Sequence, residues 1–170
     1  MNMKFSKSGK QALGEMEGCK LEVYLDSGGA PSIGIGHLLT RSERASGKIQ
    51  IGQNEGNYRE GLTLEQVYAL LEQDLVEVEL VITRFVKVYL TQAQYDALVC
   101  FVFNVGVSAF KGSTLLKLLN SGNYLAIPEQ LMRWVHDNGV QVPGLISRRE
   151  SEIALWEGDN AATQEASVVS

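Results

Sequence analysis

Two acidic residues near the start of the chain, Glu17 and Asp26, have surroundings that suit acid–base chemistry. Glu17 lies among apolar neighbours, which favour a protonated carboxyl group, whereas Asp26 lies in a polar glycine-rich turn, which favours a carboxylate. A carboxylic acid and a carboxylate on either side of one bond are the minimum apparatus of glycoside hydrolysis. Ser32, across the same turn, offers a hydroxyl that can orient an attacking water. The three side chains therefore form a candidate hydrolytic set.

The spacing of Glu17 and Asp26 does not by itself indicate catalysis, because the chain holds 20 acidic residues among 170. Ser32 taken alone is typical of a strand or turn hydroxyl. His37 taken alone is typical of a hydrogen-bonded structural histidine. The hypothesis therefore depends on the elements that position these residues.

The pattern of apolar residues predicts an α+β fold. A short helix leads to Glu17, and alternating residues on either side of the Ser27–Pro31 turn predict a β-hairpin. The glycine-rich segment 41–61 predicts further turns or short strands. Capping boxes then predict the starts of three helices, and the last of these helices is expected to end at Gly158. The boxes begin at Thr63, Thr91 and Ser147.

These elements predict one domain over residues 1–158 with two lobes. Residues of about 20–62 are expected to form a small β lobe, and residues 1–19 with 63–158 a larger helical lobe. The helical lobe is also expected to hold a helix over 92–105, one over 114–120 capped by Ser113, and one from Pro128 to about Val135. The tail over 159–170 has no periodic apolar face and is predicted to fray.

Composition narrows the classes of function. The net charge of −5 argues against charge-driven binding to nucleic acid or to a membrane surface. No apolar run is long enough to span a bilayer and the first residues do not resemble a signal peptide, so we expect a cytoplasmic protein without a membrane anchor. Two isolated cysteines do not make a zinc site, and monomer is the default state.

Longer strings of the sequence resemble phage-type lysozymes (endolysins), glycoside hydrolase family 24. The family pattern is E-G … Y-x-D … T-I-G-x-G-H, and the resemblance covers about residues 8–157 in order. The matching strings are Glu17-Gly18, Tyr24-Leu25-Asp26, Ser32-Ile33-Gly34-Ile35-Gly36-His37, Gln94-Tyr95-Asp96-Ala97-Leu98, Phe103-Asn104-Val105-Gly106, Phe110-Lys111-Gly112-Ser113-Thr114, Arg133-Trp134 and Gly144-Leu145-Ile146-Ser147-Arg148-Arg149-Glu150.

The resemblance implies a lysozyme-like fold with a cleft between the lobes, Glu17 as general acid and Asp26 as the carboxylate that activates water. Ser32 stands where the family usually has Thr, which keeps the hydroxyl and removes a methyl group. The family tends towards inversion at the anomeric carbon, which requires carboxyl groups roughly 6.5–9.5 Å apart.

The resemblance and the local sequence pattern also predict residues that position the catalytic set or contact the substrate. Asp74 resembles the family's ion-pair partner of a histidine, so we predict a His37–Asp74 pair. Tyr24, beside the hairpin, is a candidate for stacking on a sugar. Asn104 ends a very apolar helix, where its amide either satisfies backbone groups or touches substrate.

Two arginines near the end of the chain have two interpretations. Arg148 or Arg149 either reaches the back of Glu17 and holds its side chain, or pairs with Glu152 at the start of the last helix. The sequence favours neither.

The implied function is hydrolysis of the β-1,4 bond between N-acetylmuramic acid and N-acetylglucosamine in peptidoglycan. The reaction needs no metal and no organic cofactor, and the expected partner is the glycan strand. Release to the wall would depend on a holin that permeabilises the membrane. Two alternatives stay open: a lytic transglycosylase, which can work with a single acid, and a catalytically inactive wall-binding module on the same fold.

Overall fold

The computed structural model describes residues 2–168, with side chains as far as residue 158. The chain divides into two compact units, one of Gln11–Val76 and one of Met1–Lys10 with Glu77–Ser170. Two helices, α1 (Lys7–Glu17) and α3 (Leu64–Phe85), each run from one unit into the other. Helices combined with short antiparallel strands confirm the predicted α+β class, whereas the lobe limits near residues 20 and 62 stay predictions.

The unit of Gln11–Val76 is built around a three-stranded antiparallel sheet. Its strands are β1 (Lys20–Leu25), β2 (Pro31–Gly34) and β3 (His37–Leu38), in that order across the sheet. The predicted hairpin is therefore present. The buried apolar side chains of this unit come from α1, the sheet and the residues next to its strands, a strand over 48–51 and the first turns of α3. They include Leu13, Ile33, Ile35, Leu39, Ile49, Val67, Leu70, Leu71 and Leu75.

The segment 41–61 is more ordered than the prediction of turns and short strands. It begins with α2 (Arg41–Ser46), followed by a hairpin of β4 (Lys48–Ile51) and β5 (Asn54–Asn57). The side chain of Thr40 caps α2 and Glu43 completes a capping box, a signal that the glycine content of the segment hid. The prediction of short strands is confirmed, and the omission of the helix is wrong.

The other unit is helical. It holds α4 (Gln92–Val105), α5 (Val107–Lys111), α6 (Thr114–Asn120) and α7 (Ile127–Met132). The bounds of α4 and α6 are those predicted, because Thr91 and Ser113 cap them with their side chains. Helix α7 begins at the predicted proline turn and ends three residues earlier than expected, and residues 94–102 of α4 are buried.

The last helix, α8 (Pro143–Val168), begins earlier than predicted. Proline suits the first turn of a helix, and Ser147 lies inside α8, where its carbonyl accepts a hydrogen bond from the Ser151 hydroxyl at 3.1 Å. Before α8 stands a small hairpin of β6 (His136–Asp137) and β7 (Val140–Gln141), which the sequence analysis missed. Helix α8 runs to Val168, so the predicted helix end at Gly158 is wrong. The fraying of the tail over 159–170 stays a prediction.

Candidate active site

Glu17 is the last residue of α1. The next residue, Gly18, has a φ of +74° and donates its N–H to the Gly14 carbonyl at 2.8 Å. A glycine in the left-handed region ends a helix with its last carbonyls satisfied and turns the chain away from the helix axis. The sequence Glu17-Gly18 therefore puts an acidic side chain at a helix end directly before β1.

Asp26 closes the turn between β1 and β2. Its Oδ1 accepts the backbone N–H groups of Gly28 at 2.9 Å and Ala30 at 2.8 Å. Its own N–H donates to the Ala30 carbonyl at 2.8 Å. Both hydrogen bonds that the described residues make to this carboxylate go to Oδ1, so the loop fixes the carboxylate and leaves Oδ2 for other chemistry.

The register of the hairpin brings Tyr24 and Ser32 face to face. Tyr24 on β1 is paired directly with Ser32 on β2, and paired residues project to the same face of a sheet. Ser32 is only 3% exposed. Tyr24 and Ser32 therefore project to one side of the hairpin, and Asp26 follows β1 directly as the first residue of the turn.

The negative charges of Glu17 and Asp26 both affect the pKa of the Tyr24 hydroxyl. Burial raises the pKa of Tyr24, and the negative charges of Glu17 and Asp26 raise it further, against a hydrogen bond from the Gly36 backbone. Glu17 and Asp26 are therefore both within electrostatic range of one phenol. Asp26 and Ser32 lie on the same hairpin as Tyr24, and Glu17 ends the helix that leads into this hairpin; their catalytic roles stay predictions.

His37 joins β3 to two acidic side chains. Its Nδ1 lies 2.8 Å from Oδ2 of Asp74 on α3, which confirms the predicted contact. Its Nε2 lies 3.1 Å from Oε2 of Glu43 on α2. A neutral imidazole carries one N–H, so both contacts are hydrogen bonds only when the ring is protonated. Glu43 is the partner that the sequence analysis missed, and the Thr40–Glu43 capping box was the available signal.

We expect this ion pair to make stability depend on pH. Burial alone would lower the pKa of His37, but the hydrogen bonds and charges of Asp74 and Glu43 outweigh it and raise that pKa above its usual value. A raised pKa in the folded state means that the stabilisation is fully present below the unfolded pKa of about 6.5. It is lost as the pH rises through the folded pKa.

The test compares the wild type with Asp74→Asn. The difference in free energy of unfolding should be larger at pH 6 than at pH 9, and an NMR titration should show a lower His37 pKa in the variant. A difference independent of pH, or a wild-type His37 pKa at or below about 6.5, would contradict the pairing.

The other unit holds the remaining predicted residues in one cluster, of which Arg149 and Glu152 are the buried centre. Arg149 and Glu152 are both 0% exposed, with Arg149 Nε 2.8 Å from Glu152 Oε2 and Arg149 Nη2 3.0 Å from Glu152 Oε1. Arg149 Nη2 also donates to Oδ1 of Asn104 at 2.5 Å, and Arg148 Nε lies 3.5 Å from Glu152. The interpretation in which these arginines pair with Glu152 is confirmed, and a role for Arg148 at Glu17 stays a prediction.

Burial opposes the charges of this cluster. It raises the pKa of Glu152 to about 7, although the charges of Arg149 and Arg148 act to lower it. It also lowers the pKa of Arg149, which the carboxylate of Glu152 counteracts. The pair is therefore held by short contacts against a desolvation penalty.

Helices combined with short antiparallel strands match the lysozyme fold of solved structures that are similar to this chain. The family model described as "Phage lysozyme" matches residues 14–152. The chain belongs to the phage lysozyme family and is a glycoside hydrolase.

Known endolysins are similar to this chain in sequence and in structure over about nine tenths of its length. The endolysin of Salmonella phage P22 is 40% identical over 157 residues, 91% of this chain and 98% of that protein. The endolysin of Acyrthosiphon pisum secondary endosymbiont phage 1 is 36% identical over 159 residues, 91% of this chain and 99% of that protein. The solved endolysin from Escherichia coli O157:H7 phage FAHEc1 superposes with a TM-score of 0.76 at 30% identity, covering 92% and 94% of the two chains.

Proposed function

We propose that the protein is a muramidase that hydrolyses the β-1,4 bond between N-acetylmuramic acid and N-acetylglucosamine. Glu17 donates its proton to the glycosidic oxygen as the bond to the anomeric carbon breaks. Asp26 accepts a proton from the water that attacks that carbon, and the Ser32 hydroxyl orients the water. The observation that supports these roles is the fixing of Asp26 by its loop through Oδ1, which leaves Oδ2 for the water, while Glu17 ends the helix that leads directly into the same hairpin.

The two carboxyl groups need opposite protonation states at the start of the reaction. The general acid must hold a proton to give, and the base must be able to receive one. After one turnover Glu17 has lost a proton and Asp26 has gained one, and exchange with solvent restores both. Protons and electron pairs balance without a metal or an organic cofactor.

Digestion of peptidoglycan in H₂¹⁸O tests the reaction type. We expect mass spectrometry to show one ¹⁸O atom at each new muramyl reducing end, because water is the nucleophile. Anhydromuramyl ends without ¹⁸O would instead establish a lytic transglycosylase. Binding to cell walls with no new ends of either kind would establish an inactive wall-binding module.

The proposed setting is a monomer that meets peptidoglycan strands, with no nucleic-acid partner. Within residues 2–168, no helix combines the length and the apolar character that a membrane crossing requires. We propose accumulation in the host cytoplasm and release through a membrane permeabilised by a holin. If so, cells expressing the protein should lyse only after a permeabilising agent is added, and lysis without it would contradict this route.

A further inference from the structure

The buried cluster around Arg149 ends at one exposed side chain, that of Asn104. The guanidinium of Arg149 is fixed on several sides: by both oxygens of Glu152, by the Trp134 carbonyl at 3.4 Å from Nη1, and by the Phe101 ring, whose centroid lies 5.1 Å from Cζ. Asn104 lies near the end of α4 and is solvent-exposed. A rigid, fully buried cation therefore holds one amide at the surface.

The chemistry of arginine settles which way this amide points. Arginine has N–H donors and no acceptor, so the atom of Asn104 at 2.5 Å from Nη2 must be its oxygen. The Nδ2 group therefore faces away from Arg149. Among the side chains described, and along the described backbone, no acceptor takes a hydrogen bond from Nδ2. The cluster presents two oriented N–H donors to solvent.

Stability alone does not account for this arrangement. Burying a pair of charges costs desolvation energy, and apolar residues of similar volume are often no less stabilising. The raised pKa of Glu152 reflects the same cost. What the pair does supply is a fixed orientation for the exposed amide of Asn104, which Arg149 holds at the surface.

We propose that Asn104 is a substrate-contact residue whose N–H group donates to the acetamido carbonyl of an N-acetylated sugar, and that Arg149 and Glu152 are positioning residues for it. An amide oxygen is the strongest neutral acceptor on such a glycan, and an oriented N–H is its complement. This inference rests on the proposed function, since it assumes a peptidoglycan strand as substrate.

The variant Asn104→Asp removes the N–H donor of the side chain and keeps the oxygen that accepts the hydrogen bond from Arg149. The variant keeps an oxygen for Arg149 but has no N–H to offer, so we expect the melting temperature to hold or rise. The kcat/KM on peptidoglycan should fall roughly 3- to 10-fold, the size of one neutral hydrogen bond, and the fall should appear in KM. Asn123→Asp, which makes the same charge change at another exposed position of this unit, should leave kcat/KM unchanged.

The acetyl group itself is tested by binding, with Glu17→Gln as background so that the glycan is not cut. Adding Asn104→Ala should weaken binding of soluble N-acetylated fragments roughly 3- to 10-fold and leave binding of chemically de-N-acetylated fragments unchanged. Equal weakening for both glycans would overturn the assignment to the acetamido group.

Arg149→Lys tests the positioning role. Lysine lacks the planar fork, so KM should rise as in Asn104→Asp. The variant that combines Arg149→Lys with Asn104→Asp should be no worse than either single one. Additive losses would overturn the positioning role. Failure of the wild type to cleave peptidoglycan would refute the proposed function, whereas normal cleavage with a wild-type KM in Asn104→Asp would refute this inference alone.

Discussion

Glu17→Gln is expected to abolish hydrolysis, with kcat falling by at least about 100-fold. The amide has nearly the same shape as the carboxyl group but cannot give a proton to the glycosidic oxygen. The melting temperature should stay the same or rise, because functional groups at active sites often cost stability. Loss of activity without loss of fold is the signature of a catalytic acid.

Glu15→Gln provides the matched control. Glu15 lies two residues earlier on α1 and is exposed, so the same change of type and charge should leave activity near that of the wild type. Turbidity loss of purified cell walls measures all three proteins. Residual activity of Glu17→Gln near the wild-type level would remove Glu17 from the mechanism.

Asp26→Asn is expected to lower kcat by a similar factor, at least about 100-fold, while the fold is kept. The amide oxygen can still accept the N–H groups of Gly28 and Ala30, which Oδ1 of Asp26 now accepts. The amide cannot take a proton from water, because it is not a base near neutral pH. The variant should therefore keep the folded turn and lose hydrolytic activity.

Asp26→Ala separates the two roles of the side chain. Without an oxygen, the N–H groups of Gly28 and Ala30 lose their acceptor, so thermal denaturation should show a lower melting temperature than for Asp26→Asn. Both variants should be inactive. If Asp26→Asn retained full activity and only Asp26→Ala failed, Asp26 would be a turn residue and not a base.

Capping residues and the alternation of apolar residues predicted those helices and strands whose sequence signals lie within a few residues of each other. The capping residues Thr91 and Ser113 give two helix starts directly, and alternation gives the first hairpin. Two local signals were missed although they were present. Asn138 and Gly139, with φ of 50° and 79°, form the turn of the small hairpin before α8, and Pro143 marks the start of α8 better than Ser147.

Contacts between distant segments could not be read from local pattern. His37 and Asp74 were paired only through family resemblance, and Glu43 was missed because its contact depends on where α2 packs. Asn104 and Arg149 belong to different helices, so no spacing in the sequence predicts their hydrogen bond. Tertiary packing brings such residues together, and a single sequence does not encode it in any short window.

The configuration of the freshly released reducing end tests the paired action of residues 17 and 26 most directly. NMR spectra taken in the first minutes of digestion of a soluble peptidoglycan fragment should show the α-anomer first, because water activated by one carboxylate enters opposite the bond that the other acid breaks. Early accumulation of the β-anomer would mean that the second carboxylate does not deliver water to the opposite face, and would contradict the account.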